Sequence, residues 1–213
     1  MRCDKKDLLL YGVTDRSWLG DRTLAQQVEA SLRGGATMIQ LREKHMDRGS
    51  ILAQALELRE LCGRYGVPLI LNDDAELAQA AGADGVHVGQ SDMEAGRGRA
   101  LLGEDKLIGV SARTVEQALA AQAAGADYLG VGAMFPTGTK QDTRPVSYDT
   151  LKAICAAVDI PVVAIGGIGA GNVAELAGSG IAGVAVVSAL YAQPDVEAAT
   201  RSLRAQVERV VGP

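Results

Sequence analysis

Residues 81–88 read AGADGVHV and residues 124–131 read AGADYLGV. Two further junctions share their outline: GGATMIQL at 34–41 and GSGIAGVAVV at 178–187. Each places a glycine where a helix would end, then a few small or polar residues, then an apolar run short enough to be a strand. A junction that recurs along a chain marks a repeated supersecondary unit rather than low complexity. Working outward, eight apolar runs appear: Leu8–Val13, Thr37–Leu41, Pro68–Leu71, Gly85–Val88, Leu107–Val110, Tyr128–Val131, Val162–Ile165 and Ile181–Val187.

Between most of them the apolar residues take helical spacing, as at Leu24, Val28 and Leu32, or Leu52, Ala55, Leu56 and Leu58. The stretch 114–125 opens on an N-cap threonine, Thr114, and closes on Gly125. A weaker helical pattern runs from Met93 to Leu102, and the amphipathic segment 196–211 reads as a last helix that closes the structure. Eight strands alternating with helices predict an α/β fold, a (β/α)8 TIM barrel. No linker rich in Pro, Ser or Gly divides the chain, so residues 1–213 are expected to form a single domain with its site at the C-terminal ends of the strands. An open doubly wound sheet is the rival; it would favour a G-x-G-x-x-G turn after the first strand, where this chain has GVTDRSWLG.

The chain is 47% hydrophobic with a formal charge of −5, and no long basic run offers a nucleic-acid surface. The opening MRCDKKD lacks the apolar stretch of a secretion signal, and no run of about 18 apolar residues marks a membrane span. A cytoplasmic protein is expected, without nucleic-acid or membrane partners. Cys3, Cys62 and Cys155 are widely spaced, which suits reduced structural thiols.

The residues at the end of each apolar run define the candidate site. Thr14, Asp15 and Arg16 come after the first run; Gln40, Arg42, Glu43 and Lys44 end or succeed the second. The third stops at Asn72, Asp73 and Asp74; the fourth gives His87, Gln90 and Asp92; the fifth gives Ser111. The sixth leads into GAMFPTGTKQDTRP, a loop suited to a lid because Gly132, Pro136 and Gly138 interrupt it. Gly166, Gly167 and Ile168 come after the seventh, and Val187 and Ser188 end the eighth, where barrels of this class often bind phosphate. Arg42, Lys44 and Lys140 beside several carboxylates suit a diphosphate carried by a divalent metal. His87 also reads as a core histidine satisfied by backbone, Asp74 as a helix cap, and Arg97, Arg99, Arg113 and Arg144 as surface charges. Trp18 and Phe135 read as packing residues.

QLREK (40–44), ND (72–73), GVHVGQSD (85–92), GVSA (109–112), PTGTK (136–140), GGI (166–168) and VVSA (186–189) together resemble the thiamine-phosphate synthase family, in its motif order from end to end. The resemblance implies a transferase. It would join 4-amino-5-hydroxymethyl-2-methylpyrimidine diphosphate to 4-methyl-5-(2-phosphoethyl)thiazole, by a dissociative path through a pyrimidine cation, with Mg2+ as cofactor. The implied pyrimidine diphosphate site is Gln40, Leu41, Arg42, Glu43, Lys44, Asn72, Ser111 and Lys140, with Arg42, Lys44, Ser111 and Lys140 catalytic. Thr137, Gly138, Thr139, Gly167, Val187 and Ser188 are the implied contacts to the thiazole phosphate, and Asp73 and Asp92 the implied metal ligands. The family commonly has arginine after ND, where this chain has Asp74. Its partners are then small-molecule substrates, and the sequence is compatible with a homo-oligomer. The competing functions are a thiazole tautomerase, a precursor-binding protein and another phosphate-binding barrel; the cations at 42, 44 and 140 with carboxylates at 73 and 92 favour the synthase.

Overall fold

The computed structural model describes residues 3–43, 45–89, 98–137 and 145–212. Its eight parallel strands close into a barrel in sequence order: β1 (Leu10–Val13), β2 (Met38–Leu41), β3 (Leu69–Asn72), β4 (Gly85–Val88), β5 (Leu107–Ala112), β6 (Tyr128–Val131), β7 (Val162–Ile165) and β8 (Gly183–Val186). β8 pairs with β1 through Leu10 and Val184, which completes the ring and removes any open sheet edge. Outside lie α1 (Leu24–Arg33), α2 (Arg48–Tyr65), α3 (Ala75–Ala81), α4 (98–102), α5 (Val115–Ala123), α6 (Tyr148–Ala157), α7 (Ser188–Tyr191) and α8 (Val196–Val210). The expected barrel and its strand order are therefore present. Of the segment Met93–Leu102, residues 98–102 are helical and those before them lie outside the described residues.

Several strand boundaries shift by one or two residues from expectation, and the starts of β1 and β8 shift by two. Leu8 belongs to a 3-10 turn, Lys5–Leu8, because the Asp4 side chain accepts from the Lys6 N–H and starts that turn before the strand can begin. β8 starts at Gly183 rather than Ile181; Ala182 is still in the junction, where its N–H donates to the Val162 carbonyl. Leu56, expected on the apolar face of α2, is 47% exposed; Ala55, Leu58, Leu61 and Cys62 make that face instead.

Alternate residues of a strand face opposite sides, and closure turns the two sides into two cores. Leu10, Ile39, Leu41, Leu69, Leu71, Val86, Val88, Ile108 and Val110 point outward beneath the helices. Tyr11, Val13, Met38, Ile70, Tyr128, Val163 and Ala185 point inward, with Leu8 and Cys3 in the same cluster. Burial pushes the thiols of Cys3 and Cys62 up to about 12 and that of Cys155 to about 11, so none is an activated thiolate.

The repeated helix-to-strand junctions have a physical role. Near the start of three strands a backbone N–H is taken up by the side chain of the residue just before the next strand. Thr37 Oγ1 accepts from Leu10 N at 2.9 Å, Asp84 Oδ2 from Leu69 N at 2.9 Å, and Asp127 Oδ2 from Ile108 N at 2.8 Å. Asp127 also pairs with Arg99, whose other donors meet the carbonyls of Gly103, Lys106 and Gly125. Arg99 is thus not the surface charge the sequence suggested; its side chain is 14% exposed and ties neighbouring junctions together. Arg97 and Arg144 lie outside the described residues. Asp127→Ala should leave that largely buried guanidinium without its carboxylate and the Ile108 N–H without an acceptor, lowering stability by about 3 kcal/mol. Urea denaturation checks this, and a loss below about 0.5 kcal/mol, the usual surface range, would contradict it.

Candidate active site

The C-terminal ends of the strands surround a cavity of about 490 Å³. Its wall is built unit by unit. From β1 and β2 come Tyr11, Val13, Gln40 and Arg42; from β3 to β5 come Asn72, His87, Gly89 and Ser111. Thr137 and the glycines Gly130 and Gly132 belong to β6 and its loop, and Gly166, Gly167, Val187 and Ser188 to the ends of β7 and β8. Eight of the expected site residues therefore meet in one chamber: Gln40, Arg42, Asn72, Ser111, Thr137, Gly167, Val187 and Ser188.

Inside the β2 segment the residues divide. Gln40 faces inward, whereas Leu41 is 2% exposed and packs in the outer core. Arg42 takes its place because its N–H donates to Thr14 Oγ1 at 3.0 Å, which extends the β1–β2 pairing past the strands. The Arg42 guanidinium has no ion-pair partner among the described residues. Glu43 turns away from the cavity lining to Arg16, with Oε1 2.7 Å from Nε in an ion pair that is not an aligned hydrogen bond. Burial pushes the Glu43 carboxyl up, and the Arg16 charge offsets only part of that rise. Lys44 lies outside the described residues.

The Asn72-Asp73-Asp74 run assigns one task to each residue. Asn72 is the last residue of β3 and faces the cavity. Asp74 is the N-cap of α3, accepting from Leu77 N at 2.7 Å, as expected for a helix start. That leaves the Asp73 carboxylate free of capping. Asp73 sits at φ 65, its N–H donates to the His87 carbonyl, and its Oδ2 accepts from Asn72 Nδ2 at 2.7 Å. It is exposed at the rim, next to a cavity-lining amide.

Asp73 offers a hard oxygen of the type Mg2+ prefers, and one or two carboxylates suffice when substrate and water complete the shell. Among the described residues no three His, Cys, Asp or Glu side chains converge, so a cation here would depend on oxygens from the substrate. The donor type fits magnesium. Its expected partner Asp92, like Gln90, lies outside the described residues.

His87 departs from the backbone-satisfied reading. Its Nε2 lies 3.0 Å from Ser111 Oγ and its Nδ1 3.2 Å from the Tyr128 hydroxyl, so side chains hold it. Arg113, expected at the surface, lines the cavity, and Gln117 joins it by accepting from the Arg113 N–H at 2.8 Å. The signal was present in the period of two: Arg113 stands two residues past Ser111 and continues its inward face.

The sixth loop is anchored at its start, where Met134 N and Phe135 N donate to the carbonyls of Ile165 and Gly166. Gly138, Thr139 and Lys140 lie outside the described residues. Phe135 packs on the outer core as expected, while Trp18 is 42% exposed and contributes its carbonyl to Gln27 Nε2. Across the cavity, Gly167 takes φ 65, and a Cβ there would come within 2.5 Å of the Pro136 carbonyl oxygen. The backbone N–H groups of Gly167, Val187 and Ser188 have no acceptor among the described residues. Backbone donors in such loops suit an anion.

Known proteins resemble this chain over nearly its whole length. A family model described as thiamine monophosphate synthase matches residues 10–190. A thiamine-phosphate synthase of Ruminiclostridium cellulolyticum is 48% identical over 199 residues, covering 93% of this chain and 95% of the relative. One from Chloroflexus aurantiacus is 50% identical over 202 residues, covering 94% and 93%. Among solved structures, thiamine phosphate pyrophosphorylase from Pyrococcus furiosus superposes with a TM-score of 0.89 at 38% identity, covering 98% of this chain and 99% of that one. With the motifs, the closed barrel and the matched length in agreement, the chain belongs to the thiamine monophosphate synthase family.

Proposed function

We propose that this protein is a thiamine-phosphate synthase. It joins 4-amino-5-hydroxymethyl-2-methylpyrimidine diphosphate to 4-methyl-5-(2-phosphoethyl)thiazole and releases diphosphate. One observation carries the reading: a single cavity has two halves suited to anions. Arg42 and Arg113, with Gln40, Asn72 and Ser111, form the β2–β5 half; Thr137, Gly167, Val187 and Ser188 form the β6–β8 half. Two phosphorylated substrates need two such places, and a bond between them requires both in one chamber. The names of the relatives support the same reading. A tautomerase or a binding protein acting on one thiazole phosphate would use the second half alone.

In this reading Arg42, Lys44 and Lys140 neutralise charge that develops on the departing diphosphate, and Asn72 and Ser111 hold the pyrimidine end. Leu41 and Glu43 act through the backbone and through the Arg16 pair that fix the strand end. Asp73 and Asp92 would hold magnesium, whose contribution when bound is positive charge at the diphosphate. The amino group of the pyrimidine can feed electrons to the carbon that loses diphosphate, so the chain need not supply a nucleophile. Its task is to keep the thiazole nitrogen in line and water away from the cation. No helix among the described residues is long and apolar enough to cross a membrane, and we assign the activity to the cytoplasm.

The direct test is purified protein with both substrates and magnesium: thiamine phosphate and diphosphate should form in equal amounts, and absence of product with both substrates present would end the proposal. Asp73→Asn should keep the circular dichroism of the wild type and raise the magnesium needed for half-maximal rate by roughly tenfold. Full turnover of the wild type in excess chelator would exclude the metal role. Gly167→Val places side-chain atoms against the Pro136 and Phe135 carbonyls and should raise KM for the thiazole phosphate by about tenfold, with KM for the pyrimidine diphosphate within about twofold. Equal damage to both constants would point to collapse of the site. Lys140→Ala should lower kcat far more than thiazole phosphate affinity; turnover within about threefold of wild type would remove Lys140 from the catalytic set.

A further inference from the structure

A buried amide sits in the face that α1 turns to the barrel. Gln27 is 0% exposed, among Leu24, Val28 and Leu32. Its Nε2 donates to the Trp18 carbonyl at 2.8 Å and to the Tyr191 carbonyl at 3.1 Å. The opposite orientation of the amide would set an oxygen against two carbonyl oxygens, so the two acceptors fix which atom is nitrogen. The Oε1 atom is buried too and has no hydrogen-bond partner among the described residues. A buried acceptor without a donor costs free energy. An apolar side chain of similar size would avoid that cost but could hold neither carbonyl.

The two carbonyls end two segments of the site wall. Tyr191 is the last residue of α7, a single turn whose start, Val187 and Ser188, lines the cavity. So short a turn leaves its last carbonyls without partners of its own, and no side chain caps its start. The Tyr191 carbonyl meets its donor in Gln27. The Tyr191 ring lies over Gly12, where a Cβ would sit 2.7 Å from the hydroxyl, and that hydroxyl is 3.3 Å from Ser31 Oγ, one turn along α1 from Gln27. Trp18 ends the turn Arg16–Trp18. That turn has ties of its own: Asp15 accepts from the Ser17 N–H, and Arg16 meets Gln54 and Glu43. The α7 turn therefore depends on Gln27 more than the loop after β1 does.

We propose that Gln27 is a positioning residue: through the Tyr191 carbonyl it holds the α7 turn so that the backbone of Val187 and Ser188 stands ready for the thiazole phosphate. This role rests on the function proposed above. Gln27 itself is not part of the cavity lining and acts only through the turn. A turn held before the substrate arrives lowers the ordering cost of binding. Loss of the tether therefore raises KM for the thiazole phosphate and leaves kcat nearly unchanged. Coupling is reciprocal: a ligand that needs the held turn also strengthens the tether, by the same factor.

Gln27→Met keeps the size of the side chain and removes both donors. It should raise KM for the thiazole phosphate by about tenfold, the effect of one hydrogen bond, with kcat and KM for the pyrimidine diphosphate within about twofold. Tyr191→Phe loses the contact to Ser31 but keeps the carbonyl, and all three constants should stay within about twofold of wild type. An unchanged KM in Gln27→Met, equal damage to both substrates, or the same rise in Tyr191→Phe overturns the proposal. Amide hydrogen exchange in the wild type, read by NMR, decides even if Gln27→Met does not fold. Without substrate, the Gln27 Nε2 hydrogens should exchange with solvent at least about tenfold more slowly than those of exposed Gln26 on the same helix. Thiazole phosphate should slow them by about a further tenfold. Rates equal to those of Gln26, or rates unmoved by bound thiazole phosphate, overturn the tether. A wild type that binds no thiazole phosphate counts against the synthase reading, and the substrate-free rates then decide the tether alone.

Discussion

Space inside an eight-stranded barrel is the constraint on which the site depends. Closure leaves room for a few inward side chains at each level, and here two large rings, His87 and Tyr128, share one level. They fit because the neighbouring inward positions on β5 and β6 are Gly109 and Gly130. A Cβ at Gly109 would collide with the Tyr128 ring and hydroxyl, and one at Gly130 would sit 3.0 Å from the His87 ring. Strand glycines normally weaken a sheet. In this barrel their cost is offset by a buried polar floor whose hydroxyls and imidazole satisfy one another.

Above that floor the strand ends separate support from chemistry. Thr14 holds the Arg42 backbone, Asp15 caps the turn that carries Arg16, and Arg16 holds Glu43. Asp74 starts α3 and so relieves Asp73 of that duty. Asp73 remains in a left-handed backbone conformation, which aspartate tolerates better than most residues but which still costs about 1 kcal/mol or more. Such a residue at a cavity rim is held there by its surroundings, here by the His87 carbonyl and the Asn72 amide.

The strands were legible because each is a short apolar run beside glycine or polar punctuation, and every one of them lies within about two positions of its apolar run. Which strand-end residues face the cavity was legible wherever the period of two could be counted from an apolar neighbour, as for Gln40, Asn72 and Ser111. The same count extended past the end of β5 would have found Arg113, which charge alone assigned to solvent. Arg99 was hidden for a different reason. Its partners, three carbonyls and Asp127, come from segments that meet only after folding, and nothing in its local sequence signals them. The hydroxyl partners of His87 were likewise invisible because they come from β5 and β6, well beyond its own strand.

The caps at the N-terminal ends of the strands have a consequence for how the chain assembles. Thr37, Asp84 and Asp127 each bridge adjoining strands, over separations of 27, 15 and 19 residues. Contacts this local carry a small loop-closure entropy and can form as each unit is completed. The β1–β8 pairing spans nearly the whole chain and has no such side-chain cap at its lower end, where Val184 N meets the Leu9 carbonyl. Ring closure is therefore the non-local step of folding. The first and last units, joined also by the packing of α1 against α8, carry the contacts of greatest sequence separation, the kind that costs most loop-closure entropy to form.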